Sequence, residues 1–267
     1  MLECVVNISE GRNHAVLGLL QDACGGDVLD VHIDHDHNRS VFTLVGTEAP
    51  RRLTAEAVSR LDISRHDGVH PRLGAVDVVP FVPLGDATMR DALRARDDFA
   101  RWASGTLGVP CFLYGPERTL PDIRRRAWAD LTPDMWKGDS PRPHATAGAI
   151  CVGARDVLVA WNVWLDADLV AAREIAGRVR TPDIRTLGLQ TGDHVQVSIN
   201  LVAPLEHGPD EAWDAVAREA GLHGVRLLRS ELVGLAPQAV LDRIDPTRWE
   251  QLDLSVERTI EARLTAR

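Results

Sequence analysis

Residues 27–46 read DVLDVHIDHDHNRSVFTLVG, two runs rich in β-branched residues separated by a short polar stretch. That pattern predicts two consecutive strands joined by a turn, because polar residues build hairpin connections readily. What flanks it decides the fold. Upstream, ECVVNIS (3–9) reads as a strand, and residues 13–24 show helical periodicity closed by Gly25 and Gly26. Downstream, residues 50–62 are helical and VDVVPFVP (76–83) is a fourth strand. The order β-α-β-β-α-β is the ferredoxin-like arrangement.

The same order returns later in the chain. A helix at 86–107 carries Met89, Ala92, Leu93, Phe99, Ala103 and Leu107 on one face, and PCFLYG (110–115) adds a strand. Residues 116–148, rich in Pro, Arg and Asp, read as an irregular connection. DVLVAWNVWL (156–165) is then a strand, with Asp166 as the expected cap of a helix whose apolar stripe is Leu169, Ala172, Ala176 and Val179. IRTLGLQ and HVQVSINLVA read as strands, residues 209–220 as a helix and VRLLRSELV as the last strand. The expected fold is α/β (α+β): two ferredoxin-like βαββαβ subdomains, 1–150 and 151–267, with a ligand cleft between them.

Composition narrows the function. With 30 basic and 39 acidic side chains the net charge is −9, and no basic stripe is visible, so phosphate-led nucleic-acid binding is not expected. Lys137 is the only lysine and lies in a polar loop, which argues against Schiff-base chemistry. Cys4, Cys24, Cys111 and Cys151 are scattered, without disulfide or zinc-ribbon spacing. No signal peptide or membrane-length apolar run is apparent, so a cytoplasmic protein without membrane partners is expected.

Four stretches can carry chemistry. In NISEGRN (7–13) a strand passes into a helix through Asn7, Ser9, Gly11 and Arg12, and free N–H groups at such a junction suit carboxylates or phosphates. In HIDHDHNRS (32–40), His35 and His37 would share one strand face and Asp34 and Asp36 the other, so no face gathers a metal set. A solvated turn is the expectation there, ending in Asn38 and in Arg39, whose fork suits a carboxylate. The densest stretch is SRHDGVHPRLGAVDVVPFVP (64–83): His66 and His70 stand four apart with Arg65, Arg72 and Gly74 alongside, and Asp77 opens an apolar strand. A rigid loop of that kind suits general acid–base work. Finally, Asn162, Gln196, Ser198 and Asn200 are neutral polar groups on otherwise apolar strands. They suit a heteroaromatic ligand rich in N–H and C=O positions, or pairing between neighbouring strands.

Taken together, ECVVNISEGRN, LDVHIDHDHNRSVFTLVG, SRHDGVHPRLGAVDVVPFVP, GVPCFLYG, GARDVLVAWNVWL, QVSINL and SELVGLAP resemble the formiminotransferase domain of glutamate formimidoyltransferases, found alone in bacteria and fused to a cyclodeaminase in animals. The resemblance implies tetrahydrofolate as co-substrate and no metal. It also implies transfer of a formimino group from N-formimino-L-glutamate to folate N5 with release of L-glutamate, a step of histidine degradation and one-carbon metabolism. By the match, His70 holds the catalytic position in G-x-H-P-R-x-G-A, and Asn38 and Arg39 line the cleft while His35 and His37 are local. Arg39, Arg65, Arg72 and the backbone around Gly11 and Arg12 would then receive the anionic substrates, and Asp34 or Asp36 would orient the imidazole or hold the pterin. Small molecules are the expected partners, with a homodimer allowed. Departures from the family pattern stand at Arg126–Ala129, Ala145 and Trp164. Trp164 and the 126–129 segment motivate a different formimino or formyl donor as an alternative. A silent folate-binding relative is a separate one, which His70 and its surroundings speak against.

Overall fold

Strand β1 (Leu2–Ile8) forms the middle of the first sheet in the computed structural model, which describes residues 1–267. It pairs antiparallel with β3 (Arg39–Val45) on one side and β4 (Val76–Pro83) on the other, while β2 (Val28–Asp34) pairs with β3. The order β2-β3-β1-β4 is that of a ferredoxin-like sheet. Alternation along β1 sends Cys4, Val6 and Ile8 to one face, where they meet Phe42 and Leu44 of β3. Two helices cover that face, α1 (His14–Cys24) with Leu17 and Leu20, and α2 (Glu48–Arg60) with Leu53 and Ala57. Helix α1 starts where Asn13 accepts a hydrogen bond from the Val16 N–H, and it ends at Gly25, whose φ of 63° favours glycine.

Two further strands extend this sheet. β6 (Ile150–Ala154) runs parallel to β4, and β5 (Cys111–Tyr114) runs parallel to β6 on its far side. The strand at 110–115 was expected; β6 was not. Its ICVGA segment is apolar at every position and buried throughout, as strands with both faces covered are. Because β6 belongs to this sheet, the first unit runs from Met1 to Asp156 and the second from Val157 to Arg267, against an expected division after 150. Helix α3 (Met89–Trp102) connects β4 to β5, held at its start by a reciprocal Thr88–Asp91 cap, and closes in a π-type turn at Ala103–Leu107. All six residues of its expected apolar face pack into the core.

The opposite face of the sheet is covered at its β4-β6-β5 end. There Val78, Phe112, Tyr114, Ala149 and Cys151 surround Ile123 of α4 (Leu120–Arg126). This helix lies within the stretch read as irregular. It is seven residues long, begins with a Thr119–Asp122 capping box, and ends in Arg124, Arg125 and Arg126, whose charges suit a helix C-terminus.

The second unit repeats the first plan. β7 (Val159–Asp166) is flanked by β9 (His194–Leu201) and β10 (Arg226–Val233), and β8 (Ile184–Thr191) pairs with β9. Its order, β10-β7-β9-β8, matches β4-β1-β3-β2 position for position. Trp161, Val163, Leu165, Val197 and Ile199 bury one face with α5 (Leu169–Val179) and α6 (Pro209–Leu222). The cap of α5 is Asp168, which accepts from the Ala171 N–H; Asp166, the expected cap, pairs with Arg226 instead. Two short helices, α7 (Gln238–Leu241) and α8 (Ile260–Thr265), complete the chain. No helix is long and apolar enough to cross a membrane.

Candidate active site

The loop between α2 and β4 is fixed at both ends by backbone hydrogen bonds. Ile63 N–H donates to Thr146 O (2.7 Å), Ala75 N–H to Ala147 O (3.0 Å) and Ala149 N–H to Leu73 O (3.0 Å). From the end of β1, the Ser9 N–H and hydroxyl donate to Ala75 O (2.8 Å) and Gly74 O (2.7 Å). These contacts leave no room at Gly74, where a Cβ would stand 2.3 Å from Ala149 O and 2.6 Å from Ala147 O. Arg72 was expected to bind substrate. Its guanidinium is turned onto its own loop, donating to Gly68 O (2.8 Å), His66 O (2.8 Å) and His70 O (3.3 Å). A side chain that satisfies three carbonyls of a loop without secondary structure acts first as its staple.

Beneath the loop lies a buried charge cluster. Asp77 has no exposed surface; one carboxylate oxygen accepts from the Leu73 N–H (2.8 Å) and Arg124 (2.7 Å), the other from Arg39 (2.9 Å) and again from Arg124. Arg39 also donates twice to the Asn7 side-chain oxygen, at 2.9 and 3.2 Å. The β1–β4 register shifts between Asn7 and Ile8, next to the point where Asp77 enters β4, and such irregularities re-aim side chains. Burial alone would raise the Asp77 pKa, but the two guanidiniums override it and hold the carboxyl well below the usual range. Burial also lowers the Arg39 pKa, against the pull of Asp77. Asn38 ties the turn to its surroundings: at φ 48° its side chain accepts from Gly11 N–H (2.9 Å) and donates to Asp67 O (2.9 Å).

Three histidines meet here, and the acceptors around them fix their tautomers. A carbonyl oxygen can only accept, so His70, with Nδ1 2.9 Å from Pro71 O, carries its proton on Nδ1 and leaves Nε2 as a lone pair. Burial, reinforced by the Arg39 guanidinium, pushes the His70 pKa down to about 3. His66 donates through Nε2 to Asn38 O (2.8 Å), and its buried Nδ1 has no hydrogen-bond partner. His37 is 7% exposed, with Nδ1 3.1 Å from Asp34 Oδ2 and its ring centre 6.2 Å from that of His70. His35, by contrast, is exposed beside Asp36. The turn is therefore not solvated throughout, and the two histidines expected to be local diverge.

Other expected residues lie outside this cluster. Arg12 is exposed and donates to His35 O (3.0 Å), and Arg65 is exposed at the loop entrance. In the second unit, Asn162, Gln196, Ser198 and Asn200 share the sheet face opposite the core, with Asn162 across from Ser198 and Trp164 across from Gln196. Asn162 and the Trp164 indole both donate to Glu231, at 3.2 and 3.1 Å, and the Arg229 guanidinium stacks 4.2 Å over Trp164.

A family model described as the formiminotransferase domain, N-terminal subdomain, matches residues 1–155. The chain is 36% identical over 270 residues to glutamate formimidoyltransferase of Streptococcus pyogenes, covering 90% of each. It is 34% identical over 273 residues to the enzyme of the same name from Thermoplasma acidophilum, covering 91% of this chain and 90% of the relative. The chain belongs to the formiminotransferase family. With formimidoyltransferase-cyclodeaminase of Sus scrofa it shares 32% identity over 281 residues, 91% of this chain but 51% of that longer protein. In this formiminotransferase, sequence reasoning missed three residues around the site. Arg124 was hidden in the supposed connection, with only the Arg-rich end of α4 as a signal. His37 was assigned to a turn exterior. His144, whose Nδ1 accepts from Ala147 N–H (3.0 Å) and shapes the turn that clamps the loop, carried no spacing signal at all.

Proposed function

We propose that the chain transfers a formimino group from N-formimino-L-glutamate to N5 of tetrahydrofolate and releases L-glutamate, with His70 as the base. The observation that carries this is a neutral histidine with its Nε2 lone pair uncommitted by the Pro71 contact, set above the Arg39–Asp77–Arg124 cluster. Folate N5 must lose a proton as the new C–N bond forms, and His70 Nε2 takes it. The base must be unprotonated to act, and burial and Arg39 keep His70 so across the neutral range. Exposed Arg12 and Arg65 are the proposed counter-charges for substrate carboxylates, while Arg72 and Gly74 hold the loop in register. In the second unit, the neutral groups of Asn162, Gln196, Ser198 and Asn200 suit a ring with many donor and acceptor positions. No metal belongs to the reading, and elemental analysis of active protein should find none in stoichiometric amount.

The decisive assay follows 5-formimino product from tetrahydrofolate and formiminoglutamate. His70→Gln keeps size but removes the base, so turnover should fall about 10²–10⁴-fold. Folate affinity should change little, since the base acts chiefly in the transition state. In wild-type protein kcat/KM should rise with pH through a limb lying below ordinary histidine values, because the His70 pKa is lowered; His70→Gln should lose that limb. Near-normal turnover in His70→Gln, or a larger loss in His66→Gln, rules out this assignment.

A further inference from the structure

The proposed transfer needs two proton movements, and His70 accounts for one. As the carbon passes from the glutamate nitrogen to folate N5, the departing nitrogen must gain a proton to leave as an amine. The polar groups around His70 offer a second histidine placed to give it. His37 lies at the end of the β2–β3 turn, buried, with its ring tilted 59° to that of His70. Asp34 grips it twice, accepting from the His37 backbone N–H (2.8 Å) and facing the ring Nδ1 at 3.1 Å. A carboxylate accepts only, so Nδ1 carries a proton in either charge state, and the proton His37 can give is the second one, on Nε2 of the imidazolium. A carboxylate in that place both fixes the tautomer and supports the imidazolium, as in catalytic triads.

We propose that His37, oriented by Asp34, is the general acid that protonates the departing glutamate nitrogen while His70 deprotonates folate N5. This rests on the transfer reading above. The two nitrogens that exchange partners are bonded to one carbon, and a proton donor or acceptor must come within about 3 Å of each. Two imidazoles with centres 6.2 Å apart can converge on such a carbon from one side, one reaching each nitrogen. The balance closes: one C–N bond forms as another breaks, N5 gives its proton to His70 Nε2, and the amine takes one from His37 Nε2. The rings then differ by one proton, which returns from His70 to His37 through solvent. The titratable and charged groups facing His37 include the Asp34 carboxylate on β2 and the neutral His70 on the loop, with Arg39, Asp77 and Arg124 behind His70.

The test compares full-length wild type, His37→Gln and Asp34→Asn in the formiminoglutamate assay across pH, with thermal melting to confirm folding. Wild-type turnover should fall at alkaline pH as His37 loses its proton. His37→Gln should lose about 10²-fold in kcat and lack that alkaline limb while keeping the acidic one. Asp34→Asn should remain active with the alkaline limb moved to lower pH, because the imidazolium has lost its carboxylate. If His37→Gln turns over within twofold of wild type, or retains the alkaline limb, the acid role fails while the transfer reading stands. If wild-type protein forms no product, the transfer reading falls and takes the acid role with it.

Discussion

At the scale of single residues, Asp77 shows how a charge becomes tolerable inside a sheet protein. It is fully buried, and every hydrogen bond it accepts comes from a guanidinium or from the loop it supports. Asp77→Asn would leave Arg39 and Arg124 facing an amide, and removing one partner of a buried ion pair costs about 3–5 kcal/mol. Urea unfolding should show that loss with an unchanged m value; a loss below about 1 kcal/mol would mean the guanidiniums find other partners. The sequence made Asp77, Arg39 and Asn38 legible because a polar residue on an apolar strand, or at its edge, stands out. His37 was misplaced for a physical reason. The parity rule that put it beside His35 holds only while the strand continues, and β2 stops at Asp34. The left-handed Asn38 then turns the chain, so that His37 goes inward and His35 outward.

At the scale of elements, the site depends on how closely backbones approach. Gly74 crosses the 147–149 segment at a distance that excludes any side chain, and the atoms in the way are carbonyl oxygens of a strand end. Gly74→Ala should therefore destabilise by about 1–3 kcal/mol, the usual range for overpacking, and should cost activity as well by shifting Leu73 and Asp77. Equal activity with unchanged melting temperature would show that the loop position is not set there. Long elements with a clear period were readable in advance, including β1, β4, α3 and the α5 stripe. The two that were missed share a cause. Helix α4 spans two turns and offers a single buried apolar side chain, Ile123, so no periodicity develops. Strand β6 is buried on both faces and shows no alternation to detect.

At the scale of the whole molecule, the two units carry the same strand order in sheets of different size, four strands in one and six in the other. The shared order was visible in the succession of elements, and so was the strand at 110–115, but β6 and its place between β4 and β5 were not, since pairing partners far apart in sequence leave no local trace. That placement has a consequence for synthesis on the ribosome. β5 joins the sheet only through β6, which lies between it and β4 although it is made later. As the chain emerges from its N-terminus, β1 to β4 can pair at once, whereas β5 lacks its strand partner, and α4 the Cys151 part of its seat, until residues 150–154 have cleared the exit tunnel. Stalled nascent chains exposing residues up to 148 should be cut readily by protease within 105–148, and chains exposing 156 should be protected. Protection at the shorter length would show that β5 docks without its neighbour.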